Sequence, residues 1–327
     1  MGTEGDAALD DAVDIELVRG AARAFLTACD AQDSLKDLAA MDWTGLLVEE
    51  DLGGSGWRPV EATVIAEELG RAGNSTHWLG CVTAAAALSS APVDVRDRWL
   101  PPMLDGTGTA ACALFGDVSR VARADVVDVI VTFDDNGIRL FEAAGTLPRE
   151  LDDELLDVNR PVWRVELAGA ESVQIGGPER AQQLLALARV LLSADSLGAL
   201  SAAFERLVAY LKDRIAFGAR IASFQAVQHR LVELLVFEAK ARAVLTKAAR
   251  ALASDVPTGG VGLSAVAHAF VAAHATAAVD ECMQLSGGIG FTWEYPLHHE
   301  LRRVFTNGYL LGTARSSRAL FAAGAGW

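Results

Sequence analysis

The last 150 residues constrain this chain most, because they read as helix almost without a break. "AQQLLALARVLLSADSLGALSAAFERLVAYLKDRIAFG", "FQAVQHRLVELLVFEAKARAVLTKAARALAS" and "LSAVAHAFVAAHATAAVDECMQLSGG" are long amphipathic stretches, and a shorter helix covers the 300s. Apolar residues recurring at helical spacing need a partner surface, and alanine-rich faces let helices approach closely. Several such helices in succession predict an up-and-down bundle from residue 178 to 327.

The segment before it has a different period. "ADVVDVIVTFDDNGIRLFEA" is a pair of β-branched runs around Asn136-Gly137, a good type I′ hairpin turn. "PVWRVELAG" and "ESVQIGG" give two more short strands, so residues 111–177 read as a β-domain of about 65 residues, small for an independent unit. Residues 1–110 return to helix: "DIELVRGAARAFLTACDAQ" places Leu17, Ala21, Ala24 and Phe25 on one face. "DLGGSG" is a turn, Pro59 opens a helix that runs to Gly70, and "LGCVTAAAALSS" is a further apolar helix. The fold class expected is α+β, mainly α, in the order helical domain, small β-domain, helical bundle.

Composition narrows the functions. An apolar content of 51% supports a real core, and a net charge of −15 argues against nucleic acid as a partner. Cys29, Cys81, Cys112 and Cys282 match no metal spacing and read as buried thiols of a reducing compartment. The N-terminus is acidic where a signal peptide is basic and then apolar, and "LVELLVFEAKARAVL" is broken by charges. A cytoplasmic protein without a membrane span is expected. His229 and His298-His299 lack metal-ligand spacing, and Glu281, Glu294 and Glu300 read as surface or structural carboxylates.

Two segments carry more than patterning: "DRIAFGARIASFQAVQHRL" (213–231) and "QLSGGIGFTWEYPLHHELRR" (284–303). Arg214 and Phe217, three apart on a continued helix, would project to one side; a guanidinium and a ring there can serve a phosphate and an aromatic ligand, or be an exposed arginine with a core phenylalanine. The glycines after Gln284 let backbone amides come close to a ligand, or serve only as a helix C-cap. With the α–β–α order and the N-terminal "WTGLLVEEDLGGSGW…EELGRAG", these motifs resemble the acyl-CoA dehydrogenase family over nearly the whole chain, least in the β-domain. The resemblance implies FAD as cofactor, an acyl-CoA thioester as substrate and an electron-transfer flavoprotein as acceptor. It also implies Arg214, Phe217, Gln225, Gln284, Gly287 and Gly288 as contacts to the FAD of a neighbouring subunit.

The same resemblance exposes a gap. The family's base is a glutamate before Gly-Thr, 27 residues after the glutamine that opens the glycine-rich motif; here that position is Leu311, followed by Gly312-Thr313. A minority of members place the glutamate before an arginine on the first bundle helix. Arg189 and Leu197-Gly198 set that register, and the base position is Ala188. Neither side chain accepts a proton, so no catalytic base is expected in this chain. "ACALFGDVSRVARADVVDVIVTF" also lacks the family's "Thr-Glu-Pro…Gly-Ser-Asp" pattern along the flavin ring. The resemblance therefore points to the non-catalytic subunit of an α2β2 heterotetramer like those of actinobacterial steroid side-chain degradation. A catalytic sister subunit would share one FAD with it and act on a bulky steroid-CoA. The alternatives are a homo-oligomeric flavoprotein with other chemistry, such as nitroalkane oxidase or hydroxylase relatives, and a flavin-free scaffold. Leu311 speaks against the first; Arg214 and the Gln284 motif speak against the second.

Overall fold

The computed structural model describes residues 3–28, 34–143, 147–254 and 257–326. Helices α1 (Thr3–Ala28), α2 (Leu35–Ala40), α3 (Pro59–Arg71), α4 (Trp78–Leu88) and α5 (Val93–Leu104) come first. Seven strands follow: β1 (Ala110–Leu114), β2 (Val118–Ala122), β3 (Val129–Asp134), β4 (Gly137–Glu142), β5 (Arg149–Leu151), β6 (Val162–Glu166) and β7 (Val173–Gly176). The remainder is α6 (Pro178–Asp213), the short strands β8 (Ile215–Ala216) and β9 (Ala219–Arg220), α7 (Gln225–Ala253), α8 (Pro257–Ser286), α9 (Leu297–Leu310) and α10 (Ala314–Gly324). The expected mainly helical α+β architecture is what forms.

Helix α6 is the axis of the molecule. Pro178 sits in its first turn, where a missing N–H costs nothing, and almost every residue from Ala186 to Ser201 is buried. Helix α3 crosses it at backbone contact: a Cβ on Gly198 would lie 1.8 Å from the Glu67 carbonyl oxygen, and one on Gly70 2.0 Å from that of Asp195. Only paired glycines allow that approach. Helices α6 and α8 each contain a window long and apolar enough to cross a membrane; that of α6 is 94% buried inside the protein, as befits a bundle core.

The strands form a four-stranded sheet in the order β1-β3-β4-β7, parallel only between β1 and β3, and a three-stranded antiparallel sheet β2-β6-β5. Alternation along β3 divides its side chains. Val129, Val131 and Phe133 join the main core, while Ile130 packs with Val121, Phe141, Val165 and Leu167 between the sheets. Cys81, Cys112 and Cys282 are free and buried, and burial pushes each thiol up to about 12. Cys29 lies outside the described residues.

Three local expectations change. The β3–β4 hairpin forms, but Asp134 pairs with Gly137, so Asp135–Asn136 make the turn. Asp134 Oδ1 accepts from the N–H of Asn136 (2.8 Å) and of Gly137 (3.0 Å), and only Gly137 takes a positive φ (+134°). The aspartate's own turn displaces the type I′ geometry expected at Asn136-Gly137. Helix α6 also stops earlier than expected, at Asp213. Arg214 is extended (φ −73°, ψ 124°), and Phe217 and Gly218 both have positive φ (+53° and +77°). Two successive left-handed residues cannot belong to a right-handed helix, and they are what a type I′ hairpin needs. Arg214 and Phe217 therefore lie on the β8–β9 hairpin and not on a helix. Finally, the helix of the 300s is two helices. Gly312 (φ +102°) breaks the chain, and Thr313 caps α10 by accepting from the N–H of Ser316 while the Ser316 hydroxyl accepts from that of Thr313.

Candidate functional site

The two positions at which a carboxylate would be sought come together in space. Ala188 (0% exposed) from α6 and Leu311 (2%) from the end of α9 form one apolar cluster with Leu192, packed by Leu79, Leu185 and Leu310. Leu311 is the residue after the last turn of α9, and its carbonyl accepts from Nε of Arg189 at 2.9 Å. The adjoining cleft, between α4, β1, α6 and α9, has a volume of about 60 Å³. Small-molecule pockets start at roughly 300 Å³, so this cleft has no room for an acyl group or a flavin ring. No carboxylate lines the cleft, and its one thiol, Cys112, is held protonated by burial.

Behind this plug lies a buried ionic network. Asp195 accepts from Arg303 Nε (2.9 Å), Asn307 Nδ2 (2.7 Å) and Arg160 Nη1 (3.5 Å), and Arg160 donates to Asn307 Oδ1 (2.8 Å) and Asp157 Oδ2 (3.0 Å). Burial pushes the Asp195 carboxyl up, but Arg303 and Arg160 outweigh it and hold it below the usual carboxylate range. Two carboxylates and two guanidinium groups balance in charge, and the network ties the 157–160 loop to α6 and α9. An aspartate held this firmly ionised and fully bonded fastens the loop; it does not take up protons from a substrate.

Arg189 is different. It is 8% exposed, its Nε serves Leu311, and among the described residues it has no carboxylate partner. Burial alone shifts its guanidinium downward. Next to it His268, 1% exposed, holds its Nδ1 at 2.8 Å from the Ser317 hydroxyl; burial, then the charge of Arg189, push this imidazole down to about 4, so it is neutral at neutral pH.

The residues expected to touch FAD are all on the surface. Helices α7 and α8 run antiparallel, and an ion pair between Arg230 and Glu281 ties the start of α7 to the end of α8. That brings Gln225, in the first turn of α7, to the same end of the bundle as Gln284 and the turn at Gly287–Gly288. The β8–β9 hairpin leads directly into α7. Phe217 at its tip is 98% exposed, and the Arg214 side chain makes no hydrogen bond or ion pair among the described residues. Gln225 and Gln284 are exposed, Gly287 has φ +68°, and a Cβ on either Gly287 or Gly288 would meet nothing within 4 Å. One unpaired guanidinium, two free amides, an uncovered ring and an unobstructed glycine turn suit the pyrophosphate and adenosine of a dinucleotide approaching from outside. The cleft at Leu311 does not suit its ring.

Sequence reasoning used Arg189 only to set register and did not single out Asp195, Arg303 or His268. For Arg189 and Asp195 the visible signal was charge on the buried phase of α6, where "LLALARVLLSADSLGAL" is otherwise apolar or small; His268 and Arg303 carried no such signal.

Two family models match the chain: acyl-CoA dehydrogenase, N-terminal domain, over residues 7–107, and acyl-CoA dehydrogenase, C-terminal domain, over 176–326. Acyl-CoA dehydrogenase IpdE2 of Mycolicibacterium smegmatis is 30% identical, over 83% of this chain and 80% of its own length. In structure, the steroid acyl-CoA dehydrogenase Tcur3481-Tcur3483 (G363A variant) is similar with a TM-score of 0.82 and 22% identity, over 96% of this chain and 98% of that one. The ChsE4-ChsE5 complex of Mycobacterium tuberculosis follows with a TM-score of 0.80 and 21% identity, over 95% and 97%. The chain belongs to the acyl-CoA dehydrogenase family, whose members bind FAD.

Proposed function

We propose that this chain is the non-catalytic subunit of a cytoplasmic heteromeric acyl-CoA dehydrogenase, in which it completes the FAD site of a catalytic sister subunit. One observation carries the reading: both base positions, Ala188 and Leu311, are fused into an apolar plug, while the six expected cofactor residues stay uncovered. In α,β-desaturation of an acyl-CoA, FAD supplies the hydride acceptor and a carboxylate removes the α-proton. This chain holds no proton acceptor at either position, so the glutamate comes from the partner. Its own part is binding. Arg214 would pair with the pyrophosphate, Phe217 would cover the adenosine edge, Gln225 and Gln284 would donate hydrogen bonds, and Gly287–Gly288 would let backbone amides approach. The division at residues 110 and 177 then gives a helical domain, a shortened β-domain and the bundle that meets the partner.

The relationship to IpdE2 and the likeness to a steroid acyl-CoA dehydrogenase and to a two-protein complex support an α2β2 assembly acting on a bulky steroid-CoA, with an electron-transfer flavoprotein as acceptor. The test is co-expression with a flavin-bearing family subunit. About one FAD per pair is expected, and Arg214→Ala in that complex should weaken FAD retention by about 10- to 100-fold, the worth of a charge-assisted hydrogen bond. Unchanged flavin content in the Arg214→Ala complex would remove the proposed contact.

A further inference from the structure

Arg189 faces a second space, distinct from the 60 Å³ cleft at Leu311. A cavity of about 400 Å³ lies between the ends of β1 and β3, the first half of α6, the start of α8 and α10. Leu114, Phe133, Leu185 and Leu320 give it apolar walls, and Arg189 and Ser316 are polar groups on its lining. The size falls within the range of small-molecule sites.

The guanidinium in that wall has no ion pair among the described residues. Arginine carries five N–H donors, and here only Nε is used, toward Leu311. The two Nη groups make no hydrogen bond within the described chain, yet they are not among its sealed, unbonded polar atoms, so they open onto the cavity. Water can satisfy their hydrogen bonds; it cannot neutralise their charge. The neighbouring His268 is neutral and offers no negative charge. The contrast with Arg303 and Arg160 is direct: both buried cations share the carboxylate of Asp195.

From this we infer that the cavity is a binding site for a monocarboxylate with an apolar body, its carboxylate on the Nη groups of Arg189 and its chain along Leu114, Phe133, Leu185 and Leu320. Planar, bidentate pairing is what a guanidinium offers a carboxylate. The cavity discriminates against a more highly charged anion, because Asp134 and Asp135 also line it and only Asp134 is paired, with Arg139 at 3.3 Å. Such a site needs neither flavin nor a partner's glutamate, so it stands or falls separately from the proposed subunit role.

Calorimetric titration of the full chain near neutral pH tests it, with octanoate, the neutral isostere octanamide and inorganic phosphate as probes. Octanoate should bind at least tenfold more tightly than octanamide, and phosphate should not compete. Arg189→Gln should abolish the preference for the carboxylate. Leu320→Trp, at a 40% exposed position on the cavity wall, should block both organic probes while Arg189 stays in place. If Arg189→Gln fails to fold, the Leu320→Trp comparison decides. Equal binding of octanoate and octanamide, no octanoate binding to the parent chain, displacement by phosphate, or octanoate binding untouched by Leu320→Trp would each overturn the assignment.

Discussion

Two regions along α6 have been treated in opposite ways. At Ala188 the helix is sealed, joined to Leu311 and Leu192 with no polar atom between them. About 39 Å further on, at 1.5 Å per residue, Arg214 begins a hairpin whose tip, Phe217, is 98% exposed. A sealed apolar cluster is self-sufficient and stabilises the fold by burial. A bare aromatic ring beside an unpaired arginine and two free glutamines gains nothing within the chain. On the proposed role, the sealed region is where the proton acceptor is missing, and the open region is the surface offered to the cofactor.

The largest expected effect tests the seal. Leu311→Ala should destabilise the chain by about 2–5 kcal/mol in denaturant unfolding, the cost of a large-to-small change in a packed core. A loss well under 1 kcal/mol would mean that the cluster is loose and the contrast overstated. Next comes the pH response of the same region. His268 stays neutral down to about 4 when folded, whereas the unfolded chain takes up its proton near 6.5. Stability is therefore lost as pH falls from 6.5 to 4, by roughly 3 kcal/mol from this group, with no contribution above 6.5. In a series of unfolding curves over that range, His268→Gln should flatten the slope; an unchanged slope would show that the imidazole is not buried neutral.

The open region should respond weakly. Phe217→Asn relieves a left-handed residue and should stabilise the isolated chain by up to about 1 kcal/mol. A clear destabilisation would mean that the ring packs within this chain. Arg214→Ala should move the melting temperature of the isolated chain by less than about 2 °C, because the side chain holds nothing there. A larger shift would give it an internal structural role.

Much of this layout was legible beforehand. Pro59 and Pro178 mark the starts of α3 and α6, and the β-branched runs on both sides of Asn136-Gly137 mark the β3–β4 hairpin. The Gly-Thr after Leu311 fixed its register, although only the fold packs it against Ala188. The end of α6 was not legible, because "DRIAFG" fits a helical period and a phenylalanine seldom adopts positive φ. The isolation of Arg189 was equally hidden. Whether a buried charge has a partner depends on residues far along the chain, and "ALARVLL" says nothing of Asp195 choosing Arg303 and Arg160 instead.

The central claim is that this chain offers an outer surface to FAD and has no base of its own. The direct measurement is flavin content and acyl-CoA turnover of the full chain purified without a partner. The account predicts no dehydrogenation and little or no bound FAD. A yellow homo-oligomer that turns over an acyl-CoA would contradict it.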